Sequence, residues 1–169
     1  MKEAEALLQT LREYPHAKAW LSFSCQDGNA FKDPSKSNIL KTAFGENWAD
    51  SVLTLSAKYG GDQLMGIGIN CTAPSSIVPL LESLRNHPKI KLLRPETSII
   101  VYPNSGESWN PEKGYFFGEK YLPFSDYCKE WFQYDVPNNT ALGGCCQVFP
   151  SDIEYLHKLC FGTENKIHH

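Results

Sequence analysis

Six cysteines offer most of the chemistry in this sequence: Cys25, Cys71, Cys128, Cys145, Cys146 and Cys160. A thiol can pack as a small apolar residue, attack as a nucleophile, pair into a disulfide or, as thiolate, hold a metal. Three of the six follow glycine-bearing stretches, Gly68-Ile69-Asn70-Cys71 and Gly143-Gly144-Cys145-Cys146. Glycine just before a cysteine lets backbones approach closely and leaves the sulfur uncrowded. If the two stretches lie side by side, the three sulfurs can converge. Three thiolates suit a zinc ion at Zn–S distances of roughly 2.3 Å with a fourth position open, which is the stoichiometry of a catalytic site. No Cys-x-x-Cys pair occurs, so neither a zinc ribbon nor a thioredoxin-type motif is supported. On spacing alone, the metal site stands beside a plainer reading of buried or incidental thiols.

The other candidates carry less. Cys25 closes a strand and could approach the same face, although packing is its simpler role; Cys128 and Cys160 fall on helical stripes and read as core. His16, His87, His157, His168 and His169 share no ligand spacing and read as solvent-exposed. Asn104-Ser105-Gly106 offers backbone N–H groups and small polar side chains to a ligand, and is equally an ordinary turn sequence. No phosphate-loop, dinucleotide or nucleophile-elbow glycine motif is present.

The elements that must position these residues alternate between helix and strand. Ala4, Leu7, Leu8 and Leu11 repeat at i, i+3, i+4, i+7 and predict an opening amphipathic helix that Tyr14-Pro15 ends. A strand is expected from Ala19 to Cys25, then a polar loop from Gln26 to about Ser37. Trp48, Val52, Leu55 and Tyr59 mark a helix capped at Gly60-Gly61. Leu64 to Cys71 reads as a second strand whose glycines keep one face small. Ile77, Leu80, Leu81 and Leu84 mark a helix begun by Pro74-Ser75-Ser76, and Ser98 to Tyr102 a third strand. A long aromatic loop, a helix from Ser125 to Tyr134, a short strand from Thr140 to Cys145 and a helix from Pro150 to Phe161 complete the pattern. Such a rhythm favours a parallel sheet with helical crossovers, in which functional residues gather at the C-terminal strand ends.

Composition bounds the function classes. The chain has 169 residues, 16 basic and 19 acidic, for a formal charge of −3. There is no basic footprint for nucleic acid, and no apolar run of eighteen residues to span a membrane. The acidic start, Met1-Lys2-Glu3-Ala4-Glu5, does not read as a signal peptide, so a reducing, cytoplasmic setting is expected for the thiols.

Three motifs, in order and each at a strand end, carry a resemblance: Gly68-Ile69-Asn70-Cys71-Thr72, Tyr102-Pro103-Asn104-Ser105-Gly106-Glu107 and Gly143-Gly144-Cys145-Cys146, with Trp20-Leu21-Ser22-Phe23-Ser24-Cys25 before them. Together they resemble the homocysteine S-methyltransferase family. The resemblance implies a zinc-dependent (β/α)₈ barrel that methylates homocysteine to methionine, with Cys71, Cys145 and Cys146 as zinc ligands and Asn70, Asn104 and Ser105 lining the pocket. It implies the C-terminal half of the barrel, with residues 1–161 as a partial homocysteine-binding domain and 162–169 as a tail. A full barrel takes about 250 residues. The family's Asp-Gly-Gly and Glu-Thr segments, which supply acidic groups for the homocysteine amine, then fall before Met1. The chain's close after its last helix resembles the members that use a sulfonium donor, S-methylmethionine or S-adenosylmethionine, rather than betaine. One departure is local: Gln147-Val148-Phe149-Pro150 replaces the family's Arg-Thr-Thr-Pro. Two further classes stay open, a non-catalytic zinc- or homocysteine-binding remnant and a redox sensor built on Cys145-Cys146. Four strands alone also leave two open edges that invite self-association.

Overall fold

A computed structural model describes residues 1–26, 40–110, 112–117, 123–133 and 140–162. Helix α1 (Lys2–Arg12) leads to strand β1 (Ala19–Phe23), and α2 (Trp48–Tyr59) to β2 (Leu64–Asn70). Then come α3 (Ile77–Arg85), β3 (Ser98–Tyr102), β4 (Ser108–Asn110), β5 (Tyr115–Phe117), α4 (Phe124–Gln133), β6 (Thr140–Leu142) and α5 (Pro150–Phe161). The polar loop expected up to Ser37 lies outside the described residues apart from Gln26, as does the tail beyond Gly162.

Strands β1, β2, β3 and β6 form one sheet in that order, and every pairing is parallel. This is the α/β arrangement expected of half a (β/α)₈ barrel. Alternation sorts its two faces. Ile67, Ile69, Ile99 and Val101 are almost wholly buried, in one core with Trp48, Val52 and Leu55 of α2 and Leu80, Leu81 and Leu84 of α3. Each such side chain contributes about 1.5–3 kcal/mol on burial. The opposite face, the interior of a closed barrel, carries Trp20, Ser22, Gly68, Ile100 and Tyr102.

Gly68 shows why that interior needs glycine. A Cβ there would collide with the Ile100 carbonyl oxygen, and one at Gly66 would sit 3.0 Å from Ile100 Cγ1. Ser22 stands opposite Gly68, and Tyr102 opposite Asn70. Their hydroxyls hydrogen-bond to each other across β2 at the position without a side chain.

Three expectations change. Strand β1 ends at Phe23 rather than Cys25, because Cys25 instead bridges antiparallel to Thr42. Strand pairing at β6 stops at Leu142 rather than Cys145, and the chain continues as a loop tied to β3 by Gly143 N–H to the Val101 carbonyl at 2.8 Å. The aromatic loop contains an antiparallel hairpin, β4 with β5, closed by Asn110, whose side-chain oxygen accepts from Glu112 and Lys113 N–H groups, and by Gly114 at φ +67.

Candidate metal centre

The end of β3 is what brings the cysteines together. Its carbonyls at Tyr102 and Pro103 accept from Cys71 N–H at 3.1 Å and Cys145 N–H at 2.8 Å. Its N–H groups at Asn104 and Ser105 donate to the carbonyls of Thr72 and Cys146, at 3.1 and 3.0 Å. Four consecutive residues of one strand end therefore hold both cysteine-bearing loops, one on each side. Two non-glycine residues take left-handed backbone here, Cys71 at φ 45 and Gln147 at φ 59. Such conformations cost on the order of 1–2 kcal/mol each and persist where surrounding bonds over-determine them.

The sulfurs of Cys71, Cys145 and Cys146 lie within 4.8 Å of one another. Cys145 Sγ is 3.8 Å and Cys71 Sγ 4.0 Å from Cys146 Sγ. Zinc–sulfur bonds of roughly 2.3 Å in a tetrahedron place sulfurs about 3.8 Å apart, so these two edges fit a zinc thiolate set. Along the third edge, Cys71 and Cys145 are joined as a disulfide, with Cα atoms 5.6 Å apart. That bond and a three-thiolate site exclude each other, so the metal-ready form is the reduced one. Cys146 is exposed and the other two half-buried, which leaves room for a further ligand.

The remaining cysteines stand apart from this cluster. Cys25 is buried, its N–H donates to Thr72 Oγ1 at 2.9 Å, and desolvation pushes its thiol up to about 12 against the opposing influence of the Thr72 side chain on the sulfur. Cys128 is fully buried, and desolvation, with Asp152 and Cys160 adding to it, takes its thiol likewise to about 12. Cys160 packs against the core and is raised by burial. Of the histidines, His16 and His157 are exposed as expected, but the His87 side chain is largely covered, with Nε2 3.2 Å from Asp50 Oδ1. His168 and His169 lie outside the described residues.

Asn104 sits beside the sulfurs and, with Cys71, Cys146 and Phe116, lines a cavity of about 370 Å³. Its side-chain oxygen accepts from Gly106 N–H at 2.9 Å, fixing the turn. Ser105 is 1% exposed and donates its hydroxyl to the Glu107 carboxylate. Asn70 donates to Ser24 Oγ at 3.0 Å and lines a different cavity of about 590 Å³ along β1, shared with Leu21, Phe23 and Phe44. Sequence reasoning missed Phe116, which the hairpin carries to the sulfurs; the available signal was Trp109 and the triplet Tyr115-Phe116-Phe117 on either side of an Asn-Pro…Gly turn. After the paired cysteines, Phe149 caps α5 through its backbone, donating N–H to Asp152 Oδ2 at 2.9 Å.

The sequence matches the homocysteine S-methyltransferase family over residues 1–160. The chain belongs to the homocysteine S-methyltransferase family. Among curated relatives, the betaine-homocysteine S-methyltransferase of Drosophila melanogaster is 31% identical, over 98% of this chain and 46% of its own length. The homocysteine S-methyltransferase of Escherichia coli is 31% identical, over 91% of this chain and 43% of its own. The crystal structures of the E. coli homocysteine methyltransferase MmuM align over 91% of this chain in the metallated form and 93% in the oxidized form, with TM-scores of 0.58 and 0.62 and identities of 29% and 28%. The chain spans less than half the length of these relatives.

Proposed function

We propose that this family member contributes the metal-holding part of a transferase that moves a methyl group from a sulfonium donor, S-methylmethionine or S-adenosylmethionine, to homocysteine, giving methionine. The observation that carries the reading is the convergence of Cys71, Cys145 and Cys146 at the ends of β2 and β6, held by one strand end between them. In the reduced chain these three thiolates would hold zinc. When bound, zinc supplies a Lewis acid that keeps a fourth, substrate sulfur deprotonated near neutral pH. Asn104, beside Cys71 and Cys146, faces the incoming substrate. Ser105 acts through the loop it holds, fixing Cys146 by its N–H and anchoring its own hydroxyl on Glu107. Asn70, bonded to Ser24, faces the cavity along β1 and binds substrate there.

Residues 1–161 then form a partial homocysteine-binding domain, part of a (β/α)₈ barrel. The outer edges at β1 and β6 are where further strands, or a second copy, add to the sheet. Reduced thiols place the working protein in a reducing compartment such as the cytoplasm. Among the described residues no helix is long and apolar enough to cross a membrane.

A second reading, thiol redox chemistry, is favoured by the disulfide; it joins Cys71 to Cys145 rather than using Cys145 with Cys146. The discriminating experiment uses the reduced chain loaded with cobalt(II), titrated with homocysteine and separately with homoserine. A new sulfur-to-cobalt absorption with homocysteine alone, followed by methionine formation on adding S-methylmethionine, supports the transferase. A cobalt-free chain, or an unchanged spectrum, refutes it.

A further inference from the structure

The cavity beside the cysteines has an unusual wall for a site expected to handle charged substrates. Among the described residues it is lined by Cys71, Cys146, Asn104 and Phe116, and none of these four can carry positive charge. Phe116 is the middle residue of β5 and pairs with Trp109 of β4, so the hairpin carries it to this cavity. A zinc ion held by three thiolates has a formal charge of 2 − 3 = −1, and a substrate thiolate takes it to −2. With zinc bound to the reduced cysteines, the cavity would have an anionic sulfur cluster on one wall and the Phe116 side chain on another. Both attract a cation: the cluster by its net charge, the ring by the quadrupole of its face. At about 370 Å³ the space lies at the small end of ligand pockets and suits a group of amino-acid size.

We propose that Phe116 is the residue that recognises the methyl donor, by holding its positively charged onium centre in this cavity against the sulfur cluster. The inference rests on the transferase reading above and adds the donor's seat to it. The ring favours methyl groups around a diffuse positive charge, which sulfonium and quaternary ammonium share. In the transfer step the substrate thiolate's electron pair forms the new S–CH₃ bond. The donor's CH₃–S⁺ or CH₃–N⁺ bond breaks, and its pair returns to the donor heteroatom. The thiolate becomes a neutral thioether and the onium loses its charge. Phe116 then holds the spent donor less tightly than the fresh one, which favours release.

The test measures donor binding on the reduced, zinc-loaded chain saturated with homocysteine. One arm compares S-methylmethionine with methionine, its uncharged-sulfur analogue. The other compares glycine betaine with 3,3-dimethylbutanoate, in which carbon replaces the charged nitrogen. We expect at least one onium to bind several-fold tighter than its analogue; the arm that shows it identifies the donor class. Phe116→Leu should weaken that onium's binding roughly 3- to 30-fold, Phe116→Trp should retain it, and the neutral analogue should respond to neither. Nuclear Overhauser contacts between the onium methyls and the Phe116 ring give a measurement that needs no variant. Equal binding of onium and analogue in both arms, indifference to Phe116→Leu, or absence of those contacts would each overturn the proposal. Failure of the underlying reading shows differently, as loss of cobalt binding or of the homocysteine-dependent spectrum.

Discussion

Replacing Gly68 by alanine probes the packing that lets β2 carry Cys71 past β3. The added methyl meets the Ile100 carbonyl, a backbone atom that cannot rotate away, with the Ile100 carbonyl carbon and Cβ both 2.9 Å off. Overpacking of this kind costs about 1–3 kcal/mol. Restricting the unfolded chain offsets roughly 0.4–1 kcal/mol. The net loss is then about 1–2 kcal/mol, a fall in Tm of roughly 2–8 °C for a domain of this size. Urea and thermal unfolding followed by circular dichroism measure it. Gly61→Ala is the control, because its nearest neighbour is Tyr59 O at 4.0 Å, and it should change stability by less than about 1 kcal/mol. If Gly68→Ala is as stable as the control, β2 and β3 do not need the close approach, and the argument for glycine before Cys71 fails.

Other consequences can be checked separately. In reduced protein, alkylation at pH 8 followed by mass spectrometry should label Cys146 quickly and leave Cys25 and Cys128 nearly untouched, since burial keeps both as neutral thiols. Those two thiols sit near 12 in the fold against 9 when free, so their contribution to stability is fully present below pH 9. It is lost as pH rises from about 9 through about 12, and a series of unfolding curves at alkaline pH should show the decline. Thr72→Val removes the acceptor for Cys25 N–H and the donor to the Asn70 carbonyl at a site 1% exposed, and should cost about 1–3 kcal/mol in urea unfolding. Chain prepared without reductant, with Cys71 and Cys145 paired, should bind no zinc until reducing agent is added; stoichiometric binding by the oxidised form would contradict the ligand set.

Much of the fold could be read from periodicity because the burial it encodes is one-sided. Ile77, Leu80, Leu81 and Leu84 turn toward one core, and all four are buried. The strand ends were less legible. Tertiary bonds, not residue preference, decide that Cys25 leaves the sheet for Thr42 and that Cys145 loops back onto Pro103. The hairpin escaped because each of its strands has only three residues, too few for an alternation to stand out. At the site, motif order pointed to the meeting of three cysteines, but not to the strand end that holds them or to the different surroundings of its neighbours. Asn104 reaches the sulfurs' cavity, Ser105 is buried against Glu107, and Asn70 faces another cavity. Those differences depend on which side of each turn a residue faces, and a turn sequence does not encode that alone.

Cobalt(II) titration of the reduced chain, followed by the sulfur-to-metal absorption, tests the three-cysteine centre most directly. The account predicts one ion per chain. Cys71→Ser, Cys145→Ser and Cys146→Ser should each weaken binding by a factor of about ten or more, while Cys25→Ala, Cys128→Ala and Cys160→Ala retain the full signal. An affinity unchanged by Cys145→Ser, or one that depends on Cys25, would contradict it.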